Sequence, residues 1–200
     1  SGYGMSARVE QAGGWLPGSF SYWSPNVQAR YYLPIGGSVV FANRVRAGTI
    51  DAIGANRLGI GTTDTVGDLQ ANVPFWKRYF LGGSQSLRGW GRYEVGPTSP
   101  FGLPIGGLTM FEGSSEVRFP LTDKVAAVAF LDLGNAWLRS WDLNLNDLRY
   151  DVGPGLRYMT PVGPLRVDVG FQLNPIPNLR VNGEPEQRHW RVHFSVGQAF

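Results

Sequence analysis

Long stretches of this chain alternate, residue by residue, between apolar and polar side chains. In 106–119, Phe111, Gly113, Ser115, Val117 and Phe119 fall on one side, against Glu112, Ser114, Glu116 and Arg118. In 165–174, Leu165, Val167, Val169, Phe171 and Leu173 oppose Arg166, Asp168, Gly170 and Gln172. The end of the chain, 190–200, sets Trp190, Val192, Phe194, Val196 and Phe200 against Arg191, His193, Ser195 and Gly197. A period of two is that of a β-strand with unlike faces. The longest apolar run, 125–131, is far short of the ~20 residues of a membrane helix, whereas membrane strands need only ~9–11. A helical span is excluded and a β-barrel is not.

The same reading along the chain gives about eight antiparallel strands, near 3–11, 19–33, 38–48, 106–119, 124–137, 150–160, 165–174 and 190–200. One long loop, 49–104, separates the third from the fourth. A soluble sandwich would bury the apolar face and wet the polar one. A membrane barrel shows the apolar face to lipid and turns the polar face into its lumen. Short turns (34–36, 122–123, 161–164) alternate with long connections (49–104, 138–149, 174–189), as in a membrane barrel. Trp15, Trp23, Trp137, Trp141 and Trp190 sit at or near strand ends, where interfacial aromatic girdles lie. Apolar residues run to the last position, Phe200. The fold class expected is therefore all-β, an antiparallel transmembrane β-barrel.

Composition narrows the function. Charged residues are 16% of the 200, below the roughly 25% of soluble chains, while the 28 Gly and 14 Pro suit many short strands and turns. The net charge of +3 is spread without a basic run, so nucleic acid is not an expected partner. With no cysteine, disulfides and thiolate metal sites are excluded. No leader pattern stands at Ser1-Gly2-Tyr3-Gly4, as expected of a processed or trimmed chain.

The long loop carries the most unusual stretch, Gly82-Gly83-Ser84-Gln85-Ser86-Leu87-Arg88-Gly89-Trp90. Loops beyond about 12–15 residues without structure of their own are usually functional or disordered. Phe75, Trp76, Tyr79, Phe80, Trp90 and Tyr93 give this one enough aromatic surface to fold. The glycines permit positive φ and close backbone approach, so the Arg88-Gly89-Trp90 tip can enter a tight space. Buried there, Arg88 would need a carboxylate partner.

The stretch Gly82-Gly83-x-x-Ser86-Leu87-Arg88-Gly89-Trp90 resembles the signature loop of the BamA/TamA superfamily of outer-membrane assembly factors, also called the surface-antigen family. Further motifs follow in family order: Gly113 to Leu121, Phe130-x-Asp132-x-Gly134-Asn135-Ala136, Gly153-x-Gly155-Leu156-Arg157-Tyr158, Pro161 to Asp168, and Phe194 to Phe200. Trp90 stands where the best-known members have Phe or Tyr. The resemblance implies the C-terminal half of a barrel of about sixteen strands, in members that carry POTRA domains absent here. It implies residence in the outer membrane of a Gram-negative-type bacterium, among lipid and lipopolysaccharide. It further implies insertion or translocation of outer-membrane or secreted polypeptides, with no enzyme activity and no cofactor. By motif position, Arg88 would fold into the lumen and pair with Glu116 and Asp132. The stripe Trp190, Val192, Phe194, Val196 and Phe200 would be the C-terminal assembly signal. The implied mechanism is a strained barrel that opens between its first and last strands while the docked loop braces the far wall.

Plainer readings stand beside these. Glu112 and Glu116 share a face and could form an acid–base pair, although lumenal ion pairing suits them better. His189 and His193 are the only histidines, and no Gly-x-Ser-x-Gly elbow accompanies them, which weighs against a lipid hydrolase. Gly59-Ile60-Gly61-Thr62-Thr63-Asp64 lacks the third glycine of a dinucleotide loop. A two-partner secretion transporter and a passive or adhesive small barrel remain rivals, the latter favoured by a loop outside the lumen. Closure is a difficulty, because a barrel of about eight strands is just wide enough for its own side chains. The chain must expel its loop, pair with a second copy, or use strands not present in it.

Overall fold

Alternating apolar and polar residues, broken by Gly- and Pro-rich turns, fold this chain into one antiparallel sheet. The computed structural model describes residues 1–15, 17, 20–53, 73–161, 163–181 and 183–197. The Gly59–Asp64 motif and the part of the long loop at 54–72 lie outside the described residues, as does Phe200.

The strands are β1 (Gly2–Ala12), β2 (Tyr22–Pro34), β3 (Val40–Thr49), the short β4 (Asp51–Ala52), β5 (Thr109–Pro120), β6 (Val125–Trp137), β7 (Arg149–Thr160), β8 (Gly163–Gln172), β9 (Arg180–Val181), β10 (Glu184–Pro185) and β11 (Trp190–Val196). The sheet runs in the order β1-β2-β3-β5-β6-β7-β8-β11, with β4 beside β2, while β9 and β10 form a separate two-stranded hairpin. Each long strand pairs antiparallel with the next long strand in sequence, which is the up-and-down meander of a barrel wall. The ends do not meet. β1 and β11 are the two edges of an open sheet, and the closure problem posed by eight strands does not arise within this chain.

Burial runs opposite to that of a soluble protein. The charged face is the covered one: Glu116, Asp132 and Asp168 are 0% exposed, whereas Leu156 is 52% and Phe194 78% exposed. Aliphatic and aromatic side chains form the outer surface of β5 to β8 and β11. Soluble antiparallel sheets bury their apolar face, so this inversion decides between sandwich and membrane barrel. Among the described residues, the two larger apolar clusters sit where the long loops leave the sheet. There Leu81, Leu87, Trp90, Val95, Met110 and Ala136 pack together, beside a second cluster of Tyr22, Ile50, Val73 and Leu108.

Leu131 lies near the middle of β6 on the outer face. Leu131→Arg is expected to lower unfolding stability in lipid vesicles by roughly 2–4 kcal/mol, as for a charge near the bilayer midplane. Urea titration would check this, and an unchanged midpoint would remove the lipid-facing assignment.

Candidate functional site: a loop laid on the inner wall

Residues 77–94 cross the charged face of the sheet and touch every long strand. Near one edge, Lys77 Nζ lies 2.5 Å from Glu10 of β1, and Tyr79 donates its hydroxyl to Asn26 Oδ1 of β2 at 2.8 Å. In the middle, Arg44 of β3 donates to the Gln85 carbonyl (2.6 Å) and to Glu112 Oε1 (2.7 Å). Ser86 donates to Glu112 Oε2 of β5 at 2.7 Å and accepts from the Gly82 N–H. Gly82 and Gly83 make the turn that aims this segment inward, at φ 101° and 102°, which L-residues with a side chain rarely adopt. Leu87 and Trp90, both fully buried, anchor the tip in the apolar cluster on either side of Arg88.

Arg88 is enclosed. Its Nε donates to Asp132 Oδ2 at 2.7 Å and its Nη2 to Oδ1 at 2.8 Å, a two-pronged fork on β6. Nη1 reaches Glu116 Oε1 of β5 at 2.5 Å, and Ser114 accepts a further bond from Nη2 at 3.2 Å. The backbone N–H of Arg88 also donates to Asp132, and the Phe130 ring stacks on the guanidinium at 3.5 Å. A planar guanidinium suits such a fork, and charge-assisted bonds of this kind are the strong ones.

The cluster extends beyond the residues that sequence reasoning named. Arg157 of β7 bonds Asp168 Oδ1 (2.6 Å) and Glu116 (3.3 Å), and Arg166 of β8 bonds Asp168 Oδ2 (2.9 Å) and the Ser84 carbonyl (3.0 Å). These residues stood in quoted motifs without a role. Their inward placement on alternating strands was the available signal, yet it does not tell a loop-binding charge from a wetted one. Glu112 proves to be a partner of Arg44, Arg46 and Ser86.

Asp151 of β7 is the exception. It lies directly opposite Asp132 in register and is fully buried, and among the described residues no arginine or lysine pairs with it. A Cβ on Gly89 would lie 2.6 Å from Asp151 Cβ, so only glycine lets the loop pass here.

At the far edge, Glu94 and Glu186 both bond Arg191 of β11. Burial works to raise the Glu186 carboxyl, but hydrogen bonds from Arg188 and the charge of Arg191 outweigh it and draw it down to about 2. His193 of β11 meets the Arg88 carbonyl at 3.0 Å rather than a serine hydroxyl. Trp190, Val192, Phe194 and Val196 share the outer, exposed face of β11. Between the loop and β1–β3 a cavity of about 720 Å³ remains, lined by polar residues such as Arg8, Asn26, Gln28 and Arg46. Among the described residues, no group of three or more His, Asp or Glu side chains is placed to hold a metal ion.

The Omp85 superfamily domain matches residues 1–200. This chain belongs to the Omp85 superfamily. It is 29% identical over 195 residues to the outer membrane protein assembly factor BamA of Nitratidesulfovibrio vulgaris, which covers 96% of the chain and 22% of that protein. With the protein of the same name from Neisseria meningitidis serogroup B it shares 24% over 161 residues, 64% of the chain and 19% of that protein. The chain thus spans about a fifth of the length of these relatives. Its fold is that of the crystal structure of BamA from Haemophilus ducreyi lacking POTRA domains 1–3, at a TM-score of 0.68 and 19% identity, over 97% of this chain and 38% of that one. As an Omp85 member built of outward-apolar strands, it is an integral outer-membrane chain of a Gram-negative-type bacterium.

Two outcomes are expected from this geometry. Arg88→Ala strands buried carboxylates at a cost of roughly 3–5 kcal/mol, so protease cleavage within 82–94 should rise, and Arg88→Lys, unable to fork, should restore little. Unchanged cleavage would mean that Arg88 does not hold the loop. Asp151→Asn takes away one of two buried carboxyls that face each other and is expected to raise the urea midpoint, whereas Asp132→Asn, which leaves Arg88 without its fork, should lower it. A lowered midpoint for Asp151→Asn would show that the carboxyl makes a contact the amide cannot replace.

Proposed function

We propose that this chain is the C-terminal part of the barrel of an outer-membrane protein assembly factor, and that it acts without catalytic residues or a cofactor. The observation that carries the reading is the seating of Arg88 on Glu116 and Asp132 along the inner wall. A passive or adhesive barrel would leave so long a loop outside. A hydrolase would want a serine where His193 instead meets a backbone carbonyl. Similarity to proteins named assembly factors over nearly the whole chain supports the same choice.

In this reading the signature residues Gly82, Gly83, Ser86, Leu87, Arg88, Gly89 and Trp90 hold the loop against β5 to β8, and that brace keeps the wall rigid. The open edges β1 and β11 are completed by further strands of a longer barrel rather than by a second copy, which suits relatives about five times longer than this chain. β11 then forms one side of the seam that opens toward lipid and lipopolysaccharide. Its outer stripe, Trp190, Val192, Phe194 and Val196, serves as the assembly signal together with Phe200 of the same sequence pattern. Client polypeptides, outer-membrane or secreted, would add to the unpaired edge by strand pairing, which needs no nucleotide.

The test is insertion in lipid vesicles. Full-length protein containing this chain is expected to speed the folding of a urea-denatured small outer-membrane barrel over protein-free vesicles, and Arg88→Ala to remove most of that gain. Equal rates with and without the wild-type protein would overturn the reading.

A further inference from the structure

The carboxylate fork uses only part of Arg88. Its backbone carbonyl points the other way, across β7 and β8, and accepts a hydrogen bond from His193 Nε2 on β11 at 3.0 Å. Because a carbonyl can only accept, the ring carries its proton on Nε2. Two residues along the same face, Arg191 Nη2 reaches Glu186 Oε2 at 2.7 Å and both oxygens of loop residue Glu94 at 3.1 Å. Arg191 and His193 are paired in register with Gly170 and Asp168 of β8.

The surface between them is shaped for this contact. A Cβ on Gly170 would run into the Arg88 carbonyl and lie 2.6 Å from the Gly89 nitrogen, so the loop tip rests flat on β8. Gln172 Nε2 donates to the Gly89 carbonyl at 2.8 Å from the same strand. Under the tip, the β7–β8 ladder has no register pair for Gly153, Pro154, Val169 or Gly170.

β11 has little else to hold it. It is seven residues long and, among the described residues, pairs with β8 and with no strand on its other edge. We infer that His193 and Arg191 latch the last strand to the docked loop, so that seating of the loop tip and in-register pairing of β11 are one event. Both are positioning residues that act through the loop. Arg88 thereby ties β5 and β6, through its side chain, to β11, through its carbonyl. The consequence for assembly rests on the function proposed above: the latch sets how readily the seam strand leaves its place.

Hydrogen exchange of the full-length protein in lipid nanodiscs reads this directly, with peptides over 190–197 and, as a control, 125–137. His193→Ala is expected to speed exchange over 190–197 roughly five- to tenfold, as for one lost hydrogen bond, and to leave the control unchanged. His193→Gln should restore protection, since its amide can donate to the same carbonyl. Glu94→Gln, changed on the loop and not on the strand, should loosen the Arg191 end, which guards against a folding defect in the histidine variant. Arg88→Ala should speed both 82–94 and 190–197. Unchanged exchange over 190–197 in His193→Ala and Glu94→Gln would overturn the latch, and so would a glutamine variant as fast as the alanine one. Fast exchange with undiminished insertion in His193→Ala would leave the latch standing and overturn the seam mechanism instead.

Discussion

A guanidinium removed from water is costly unless carboxylates and hydrogen-bond acceptors are gathered around it. In this chain that demand falls on Arg88 and organises the whole inner wall. Its donors take up Asp132, Glu116 and Ser114; Glu116 is met further by Arg118 and Arg157, and Asp132 by the Ser114 hydroxyl and the Arg88 backbone N–H. Asp168 closes the set through Arg157 and Arg166. The strands supply mutually compensating charges, and the loop supplies the member that joins them. An apolar plug of the same size would pack, but it would leave the wall carboxylates unpaired. The arginine is therefore a matter of specificity more than of net stability, because the desolvation of each ion offsets much of its attraction.

The sheet makes this possible by being inside out. Period-two strands with one apolar face bury that face in water and expose it in lipid. The buried charges and the exposed aliphatic face of β5 to β8 are two consequences of one alternation. An open sheet also leaves room for the loop. About eight strands closed on themselves would fill their lumen with side chains, whereas here the ends stand apart and the loop lies across the width between them.

The strands were legible because alternation is a local signal, and the positions of β5 to β8 follow directly from it. The ion pairs of Arg88 were anticipated only by resemblance, since nothing local in Glu116 or Asp132 distinguishes them from Glu112. Arg157, Arg166, Asp168 and His193 escaped assignment for a related reason. Arg166 and His193 meet Ser84 and Arg88 on a loop whose path is fixed by tertiary packing, and Arg157 and Asp168 meet each other and Glu116 only once the strands are in register, so each reads simply as a polar inward position. The hairpin β9–β10 and the two-residue β4 were missed because such short pairings carry no period. Gly170 looked like a neutral member of an alternating strand, and its role emerges only when the Arg88 backbone is seen lying against it.

Together these contacts make the loop a strut rather than a plug. It begins at Glu10 and Asn26 on β1 and β2, passes Arg44 and Glu112, turns inward at Arg88, and ends at Arg191 and His193 on β11. The two edge strands, which do not pair with each other among the described residues, are thus also linked across the width of the sheet through loop side chains and backbone. A ladder bond lost at one position leaves its neighbours intact. A strut fixed at Arg88 transmits or releases as a unit, because the same residue holds β5 and β6 by its guanidinium and β11 by its carbonyl. On the latch inferred above, an edge strand held in this manner is firm while the tip is seated and loose once it lifts, which is the behaviour the proposed seam requires.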